Sequence, residues 1–209
     1  MGSLTSLTDA QALLVADASV IISLNATGYA SDLIRALPNR LVVVDVVPQE
    51  LELGRRNGRR DADLLSELVA NGVLEVVSLG NEAERHFESL VVGSAAETLD
   101  DGEAASIAYA VAHGGVALID ERKANRICAD RFPQLQVVAT TDIFMHPDVA
   151  RALASDQLAQ GVVNALRLAR MRVLPAHVDW VIALIGPEQA ALCPSLPKTA
   201  RVGRKIEVD

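Results

Sequence analysis

The stretch Leu13–Ala16 is a short, unbroken apolar run that ends at Asp17, and a second apolar stretch, 20–22, follows almost at once. A short run without polar residues predicts a strand buried on both faces of a parallel sheet. In open parallel sheets, ligands bind in the crevice at the carboxyl ends of the strands. The carboxylate of Asp17 is therefore predicted to lie in that crevice. The alternative is that Asp17 only N-caps the helix that follows.

Further apolar runs predict the rest of this sheet, and segments with helical spacing separate them. The predicted strands cover residues 41–47, 74–79, 116–119 and 137–141, and the predicted helices cover 19–25, 29–37, 61–69, 81–92 and 104–112, with others starting at Pro48 and Arg122. Because strands and helices alternate, the fold class predicted is α/β, a three-layer α/β/α arrangement with a central, mainly parallel sheet. Extra C-terminal helices are predicted over residues 157–171 and 177–185.

The chain of 209 residues is long enough for one domain with an appendage. We predict an α/β domain over residues 12–150, a C-terminal helical extension packed on it over 151–193, and a tail over 194–209. Half of the residues are hydrophobic and only 3% are aromatic, so the core must consist of Val, Leu, Ile and Ala. Cys128 and Cys193 are too few for a disulfide framework and are expected to be buried in a cytosolic protein.

We expect a soluble, cytoplasmic protein with no membrane partner. No apolar run approaches the length of a membrane span, and the N-terminus lacks the basic region of a signal peptide. Residues 1–6 match the myristoylation pattern, but no second membrane signal follows. The net charge of −8 argues against a general nucleic-acid coat protein. It is compatible with an enzyme whose acidic pocket holds a metal ion and whose basic patches are local.

Four acidic residues are predicted to meet at one edge of the sheet. Asp17 and Asp120 each end a central strand, Glu50 lies in the predicted first turn of the helix after the second strand, and Glu103 lies in the opening turn of the helix before the Asp120 strand. Four charged carboxylates cannot share a small space without a cation. Hard oxygen ligands suit Mg²⁺ or Mn²⁺. Either ion lowers the pKa of a water molecule bound to it and can position a phosphodiester for attack.

Each acid also has a simpler explanation. Asp100 and Glu103 have the spacing of a capping box, and Glu50 could favour a helix N-terminus electrostatically. Asp120 could cap the helix that begins near Arg122, and Glu121 beside it is an alternative ligand.

Four segments in order resemble the PIN-domain family: Val15-Ala16-Asp17-Ala18-Ser19, Val47-Pro48-Gln49-Glu50-Leu51, Asp101-Gly102-Glu103-Ala104-Ala105 and Leu118-Ile119-Asp120. The similarity is greatest to the VapC-like prokaryotic nucleases with Gly-Glu before the fourth helix, and it makes residues 12–150 a PIN-like nuclease domain. It implies a Mg²⁺- or Mn²⁺-dependent endoribonuclease, often the toxin of a toxin–antitoxin pair.

The resemblance also implies roles for individual residues. Asp17, Glu50, Glu103 and Asp120 would be the catalytic, metal-binding acids, and the hydroxyls of Ser19 and Thr140 would support them. The chain departs from the pattern by its length, by its acidic balance and by Thr141-Asp142, where close relatives often carry Leu-Gly. Asp142 either adds a fifth carboxylate or caps a helix.

Two basic clusters are the candidate RNA contacts. They are Arg122, Lys123 and Arg126, and the group Arg55, Arg56, Arg59 and Arg60. The first follows Asp120 directly, which places it near the predicted site. The alternative is that both clusters are solvated surface.

The leading hypothesis is therefore a metal-dependent endoribonuclease with RNA as its substrate and an antitoxin protein as a candidate partner. We expect the assembly to be a homodimer, because so much Val, Leu and Ala leaves apolar surface to cover. The alternative is a non-catalytic PIN-fold module that binds RNA or a protein. A third hypothesis is a phosphatase with Asp17 as the nucleophile. That chemistry usually has a second Asp two positions on, where this chain has Ser19.

Overall fold

A computed structural model describes Leu7 and residues 11–201. Its five strands are β1 Leu13–Ala16, β2 Arg40–Val44, β3 Glu75–Val77, β4 Val116–Leu118 and β5 Gln136–Val138. They form one sheet in the order β3-β2-β1-β4-β5, and every neighbouring pair is parallel. The predicted fold class, a three-layer α/β/α arrangement around a parallel sheet, is confirmed. β3, which lies within the predicted strand 74–79, occupies an edge of the sheet.

Thirteen α-helices lie in the described part of the chain. They are α1 Ala18–Thr27, α2 Ala30–Ala36, α3 Val46–Arg55, α4 Asp61–Ala70, α5 Gly80–Val91, α6 Asp101–Ala112, α7 Arg122–Arg131, α8 Thr140–Phe144, α9 Pro147–Ala152, α10 Ser155–Leu168, α11 Val178–Ile185, α12 Pro187–Ala191 and α13 Lys198–Arg201. A short 3-10 helix, Pro175–His177, precedes α11.

Both faces of the sheet are covered, because successive strand residues point to opposite sides. Leu14 and Ala16 face one apolar cluster, which also contains Leu24 of α1 and Val162 of α10. Val15 faces a second cluster, built with residues of α5, α6 and α7. The three central strands β1, β2 and β4 are therefore buried on both faces, as their apolar composition predicts, whereas the edge strand β3 is partly exposed.

The C-terminal helices pack into the first of these clusters. Leu158 of α10, Val181 of α11 and the buried Cys193 and Leu196 all belong to it. The core is thus continuous from β1 through these helices. The division into 12–150, 151–193 and a tail from 194 stays a prediction, and residues 202–209 of that tail lie outside the described residues.

Two strand ends differ from the prediction in a way that affects the site. The strand predicted over 41–47 ends at Val44, and α3 already begins at Val46. Pro48 is therefore the third helical residue rather than the first, and Glu50 is the fifth, beyond the opening turn. The β-branched run continues into a helix because Val47 is fully buried there, and Pro48 is tolerated because N–H groups in a first turn have no helical acceptor. Likewise, the strand predicted over 137–141 ends at Val138, and Thr140 begins α8.

The order of the strands creates a crevice between β1 and β4. The chain leaves β1 to form β2 on one side of it, whereas β4 lies on the other side. Such a reversal of strand order opens a crevice at the carboxyl ends of the two strands. Ala16 pairs with Leu118 at those ends, so Asp17 and Asp120 follow directly at the same edge.

No helix in the described residues has both the length and the apolar character that crossing a membrane requires. Cys128 and Cys193 are free and buried, as expected from their number.

Gly115 permits close packing between the start of β4 and β1. A Cβ atom at this position would lie 2.9 Å from the Leu13 carbonyl oxygen, which is backbone and cannot move aside cheaply. We predict that Gly115→Ala lowers the free energy of unfolding by about 1–3 kcal/mol, as overpacking does. Thermal unfolding should show a lower melting temperature.

The control is Gly54→Ala in the last turn of α3, where the nearest atom is the flexible Arg59 Cδ at 3.3 Å. Because alanine favours helix over glycine by about 1 kcal/mol, this variant should be as stable as the native protein or more stable. Equal melting temperatures for the two variants would contradict the packing described.

Candidate metal centre and its cleft

Asp17 lies between β1 and α1 and is 3% exposed. Its Oδ1 accepts a hydrogen bond from the Val20 backbone N–H at 2.9 Å, which is an N-cap bond. The Ser19 hydroxyl lies 3.0 Å from both carboxylate oxygens. Asp17 is thus a helix cap as well as a crevice residue, and its two predicted roles coexist.

Asp120 lies two residues after β4 and is 4% exposed. Thr140 holds it from the end of the neighbouring strand: its backbone N–H donates to Oδ1 at 2.8 Å, and its hydroxyl donates to Oδ2 at 2.7 Å. These bonds fix the carboxylate and cross from β5 to β4. Asp120 does not cap α7, because the N-cap residue of that helix is Glu121.

Glu50 and Glu103 approach the crevice from α3 and α6. The Gly102 N–H donates to Glu50 Oε1 at 2.9 Å, and a Cβ atom on Gly102 would overlap the Glu50 carboxylate. Gly102 is therefore needed so that α3 can place its carboxylate against the first turn of α6. Asp100 caps α6 by accepting the Glu103 N–H at 2.9 Å, which is half of the predicted capping box.

Burial raises the pKa of these acids. It raises the pKa of Asp17 to about 8, with Asp120 and Glu103 adding repulsion. Burial also raises the pKa of Glu103 to about 7 and that of Asp120 to about 6, the latter despite hydrogen bonds from Thr140. The pKa of Glu50 is raised for the same reason. Without a cation, these groups resist carrying their charges together.

The donor set suits a hard divalent cation, because it consists of carboxylates and hydroxyls without sulfur. Within residues 11–201 and Leu7, however, no three acidic, His or Cys side chains already stand close enough to form a metal cage. A cation would have to draw these acids together from their present positions. The fit therefore rests on buried carboxylates that form no ion pair with any residue the structure describes, not on a preformed coordination shell.

Asp142 caps α8 and lies beside Asp120. Its Oδ2 accepts the Ala139 N–H at 2.8 Å, and its Oδ1 lies 3.3 Å from His177 Nε2 in the 3-10 helix. The helix cap is observed, and the charge of Asp142 helps to raise the pKa of Asp120. The Asp142–His177 pair ties the C-terminal extension to the end of β5, behind Asp120.

A cleft of about 230 Å³ opens beside Asp120 and Glu103. Its other wall contains three arginines, Arg59 from the loop before α4 and Arg170 and Arg172 from the segment after α10. Arg172 forms an ion pair with Glu121 at the cleft wall. Arg170 and Arg172 were not predicted to lie at the site, because no local pattern connects residues 170–172 with an edge of the sheet.

Most of the predicted RNA contacts have protein partners instead. Lys123 Nζ donates to the Ala95 carbonyl at 2.7 Å and Arg126 donates to the Ala96 carbonyl at 3.0 Å. Arg55 forms ion pairs with Glu52 and Asp63. None of these basic residues lines the cleft, nor do Arg56 and Arg122. The cluster that follows Asp120 thus holds the loop between α5 and α6.

A second cavity, about 450 Å³, lies at the opposite end of the strands. Residues such as Ala12, Gly115 and Gln136 line it, and none of its lining residues within the described part of the chain is acidic or basic. It is larger than the cleft but has no group for acid–base or metal chemistry, so the acidic crevice is the better candidate site.

The sheet order and the acids at its switch point define an α/β protein with an acidic crevice. A family model described as a PIN domain matches residues 13–187, which is most of the chain. The chain belongs to the PIN-domain family.

No curated protein matches the chain significantly. Among solved structures, the chain is similar to VapBC2 from Rickettsia felis, whose crystal structure includes a DNA fragment from the promoter. The identity is 14%, the TM-score is 0.39, and the match covers 61% of this chain and 98% of the other. The assignment to the PIN-domain family rests on the family-model match over residues 13–187.

Stability should fall as the pH rises. Asp17 keeps a proton in the folded protein up to a pKa of about 8, whereas the unfolded chain loses it near pH 4. Folding therefore becomes less favourable between these two values. We predict that in EDTA the melting temperature of the native protein decreases from pH 5 to pH 8. Asp17→Asn, which removes the charge, should melt several degrees above the native protein at pH 8 and show a smaller gap at pH 5.

Glu84→Gln on the exposed surface of α5 is the control and should follow the native curve at both pH values. A variant Asp17→Asn that melts below the native protein at pH 8 would show that the charge is already compensated within the fold.

Proposed function

We propose that this protein is a Mg²⁺- or Mn²⁺-dependent endoribonuclease of PIN type. The observation that carries the proposal is the pair Asp17 and Asp120, both buried and both at the switch point of a parallel sheet. Membership of the PIN-domain family supports it. Glu103 and Glu50 complete the proposed ligand set from α6 and α3.

The residues around the acids have defined tasks in this proposal. Ser19 and Thr140 fix the two aspartates, so that little reorganisation remains when a ligand arrives. The Gly102 N–H orients Glu50. A bound Mg²⁺ or Mn²⁺ would supply an acidified water and charge stabilisation at phosphorus. Because Asp100 adds negative charge beside Glu50 and Glu103, the phosphodiester is expected to approach from the cleft that contains the arginines.

A non-catalytic module that binds RNA or a protein is the second candidate. It requires no cation, so its weakness is the energetic cost of burying Asp17 and Asp120 without one. The phosphatase hypothesis is disfavoured by geometry. Both oxygens of Asp17 already face hydrogen-bond donors and the residue is almost fully buried, whereas a nucleophilic carboxylate needs an open line to phosphorus.

We further propose that the protein acts as the toxin of a toxin–antitoxin pair. The basis is its membership of the PIN-domain family and the similarity of its sequence to the VapC-like prokaryotic nucleases of that family, which are often toxins. An antitoxin protein is the expected partner and RNA the expected substrate.

Catalysis provides the main test of this function. Single-stranded RNA should be cut in the presence of Mg²⁺ or Mn²⁺ and stay intact in EDTA. Asp17→Asn removes a charge and little volume, so the rate should fall at least about a hundredfold while the fold persists. A gel assay with a labelled oligoribonucleotide and a circular dichroism spectrum measure both.

Glu84→Gln is the matched control, since it removes one exposed carboxylate and should cut at the native rate. If the native protein binds RNA and never cuts it with any divalent cation, the non-catalytic module is correct. If Asp17→Asn cuts RNA as fast as the native protein, Asp17 is only a helix cap.

The proposed assembly is a homodimer. Exposed apolar side chains, Leu53 at 60%, Val92 at 73%, Leu168 at 73% and Leu192 at 61%, leave surface to cover. Light scattering at micromolar concentration should give twice the chain mass of 22.2 kDa. A mass equal to one chain would refute the dimer.

A further inference from the structure

Beyond the cleft, a groove continues along α1. The cleft and a second hollow of about 190 Å³ share Ile22, Arg59 and Ala169 in their walls. A third hollow of about 220 Å³ shares Asn25 and Leu64 with the second. We call the three together the α1 groove. Each hollow is smaller than the ~300–1,000 Å³ of a typical small-molecule pocket. The three in a row therefore suit an extended polymer, with successive units of the polymer in successive hollows.

The charges of the groove divide into paired and unpaired groups. Four arginines line its first two hollows: Arg59, Arg60, Arg170 and Arg172. Arg59 pairs with Asp61, and Arg172 pairs with Glu121.

Arg60 and Arg170 are exposed, and within the described residues neither forms an ion pair or a hydrogen bond through its side chain. The third hollow has no basic residue and contains Glu67. Two free cations therefore stand in the groove, on the side nearer the acids.

Arg170 is held in an unusual backbone conformation. Among the residues that the structure describes, it is the one non-glycine residue with a positive φ, 54°. This left-handed region is unfavourable for residues with a side chain and recurs at functional sites. It ends α10, where glycine is the usual choice, so the sequence keeps an arginine at a position that favours glycine.

The segment that contains Arg170 is anchored on both sides. The Met171 N–H donates to the Ala165 carbonyl at 3.0 Å, and Met171 and Val173 are 2% and 8% exposed. Arg170 and Arg172 both line the cleft, while the buried Met171 and Val173 anchor the backbone. The guanidinium groups are thus carried by a fixed segment of the C-terminal extension.

We propose that the α1 groove binds single-stranded RNA, with Arg170 and Arg60 each contacting a backbone phosphate next to the bond that the acidic centre addresses. This inference rests on the proposed function and deepens it. Arginine binds phosphate through a fork of N–H donors. Among the described residues, no aromatic side chain lines the two basic hollows, so this part of the chain offers no stacking platform for bases. The groove recognises the backbone rather than a base sequence.

The test measures binding of a fluorescent single-stranded oligoribonucleotide in EDTA, where no cleavage occurs, over a range of salt concentrations. Arg170→Gly should weaken binding about five- to tenfold at low salt and reduce the slope of log K against log salt by about 0.7, the value for one phosphate of a single strand. Arg60→Ala should do the same, and the double variant should lose about twice that slope.

Arg170→Gly separates binding from folding, because glycine accepts the positive φ at no steric cost. Its melting temperature should equal or exceed that of the native protein. Arg170→Lys, which keeps the charge, should recover part of the affinity. The control Arg85→Ala, an exposed arginine on α5 away from the groove, should bind like the native protein.

A DNA strand of the same sequence distinguishes the phosphate from the ribose as the recognised group. If Arg170 and Arg60 contact phosphate, both variants weaken DNA binding by the same factor as RNA binding. Unequal factors, or native affinity and salt slope in both variants, would overturn the proposal. So would an absence of oligonucleotide binding by the native protein.

The failure of this proposal and that of the proposed function are distinguishable. If the native protein cuts RNA while the arginine variants bind normally, the nuclease stands and the groove does not. If it binds RNA through Arg170 and Arg60 but never cuts it, the groove stands and the nuclease does not.

Discussion

The structure depends on the burial of two carboxylates at the ends of adjacent parallel strands. Asp17 and Asp120 are each at most 4% exposed. Hydrogen bonds from a hydroxyl and a backbone N–H to each carboxylate offset part of the cost of burying it. Those bonds position the carboxylates but do not neutralise them, so the pKa of each remains above its usual range. A fold that maintains such a site gains from a cation there.

The sheet and these two aspartates were predictable because local sequence determines them. A short apolar run that ends in Asp is readable at Leu13–Ala16 and again before Asp120, and parallel strands bring such ends to one edge. The position of Glu50 within its helix was harder to predict from the sequence. The run 41–47 continues with β-branched residues past the end of β2, so local β propensity does not mark where β2 ends and α3 begins.

The cleft could not be predicted from local pattern, because its walls come from distant parts of the chain. Arg170 and Arg172 follow α10, yet they face Glu103 and Asp120 across the cleft. The basic residues that follow Asp120 in sequence, Lys123 and Arg126, donate hydrogen bonds to main-chain carbonyls of the loop between α5 and α6. Lys123 also lies near enough to Glu103 to lower its pKa. The C-terminal extension thus contributes to the cleft as well as to the core.

The central claim is that the acids at the switch point hold a divalent cation, and calorimetric titration of Mn²⁺ tests it most directly. Binding to the native protein should be saturable and should release protons at pH 7, because metal ligands must lose theirs and the pKa values of Asp17 and Glu103 are raised to about 8 and about 7. In Asp17→Asn with Asp120→Asn, both the binding and the proton release should disappear. An unchanged Mn²⁺ affinity in that double variant would contradict the account.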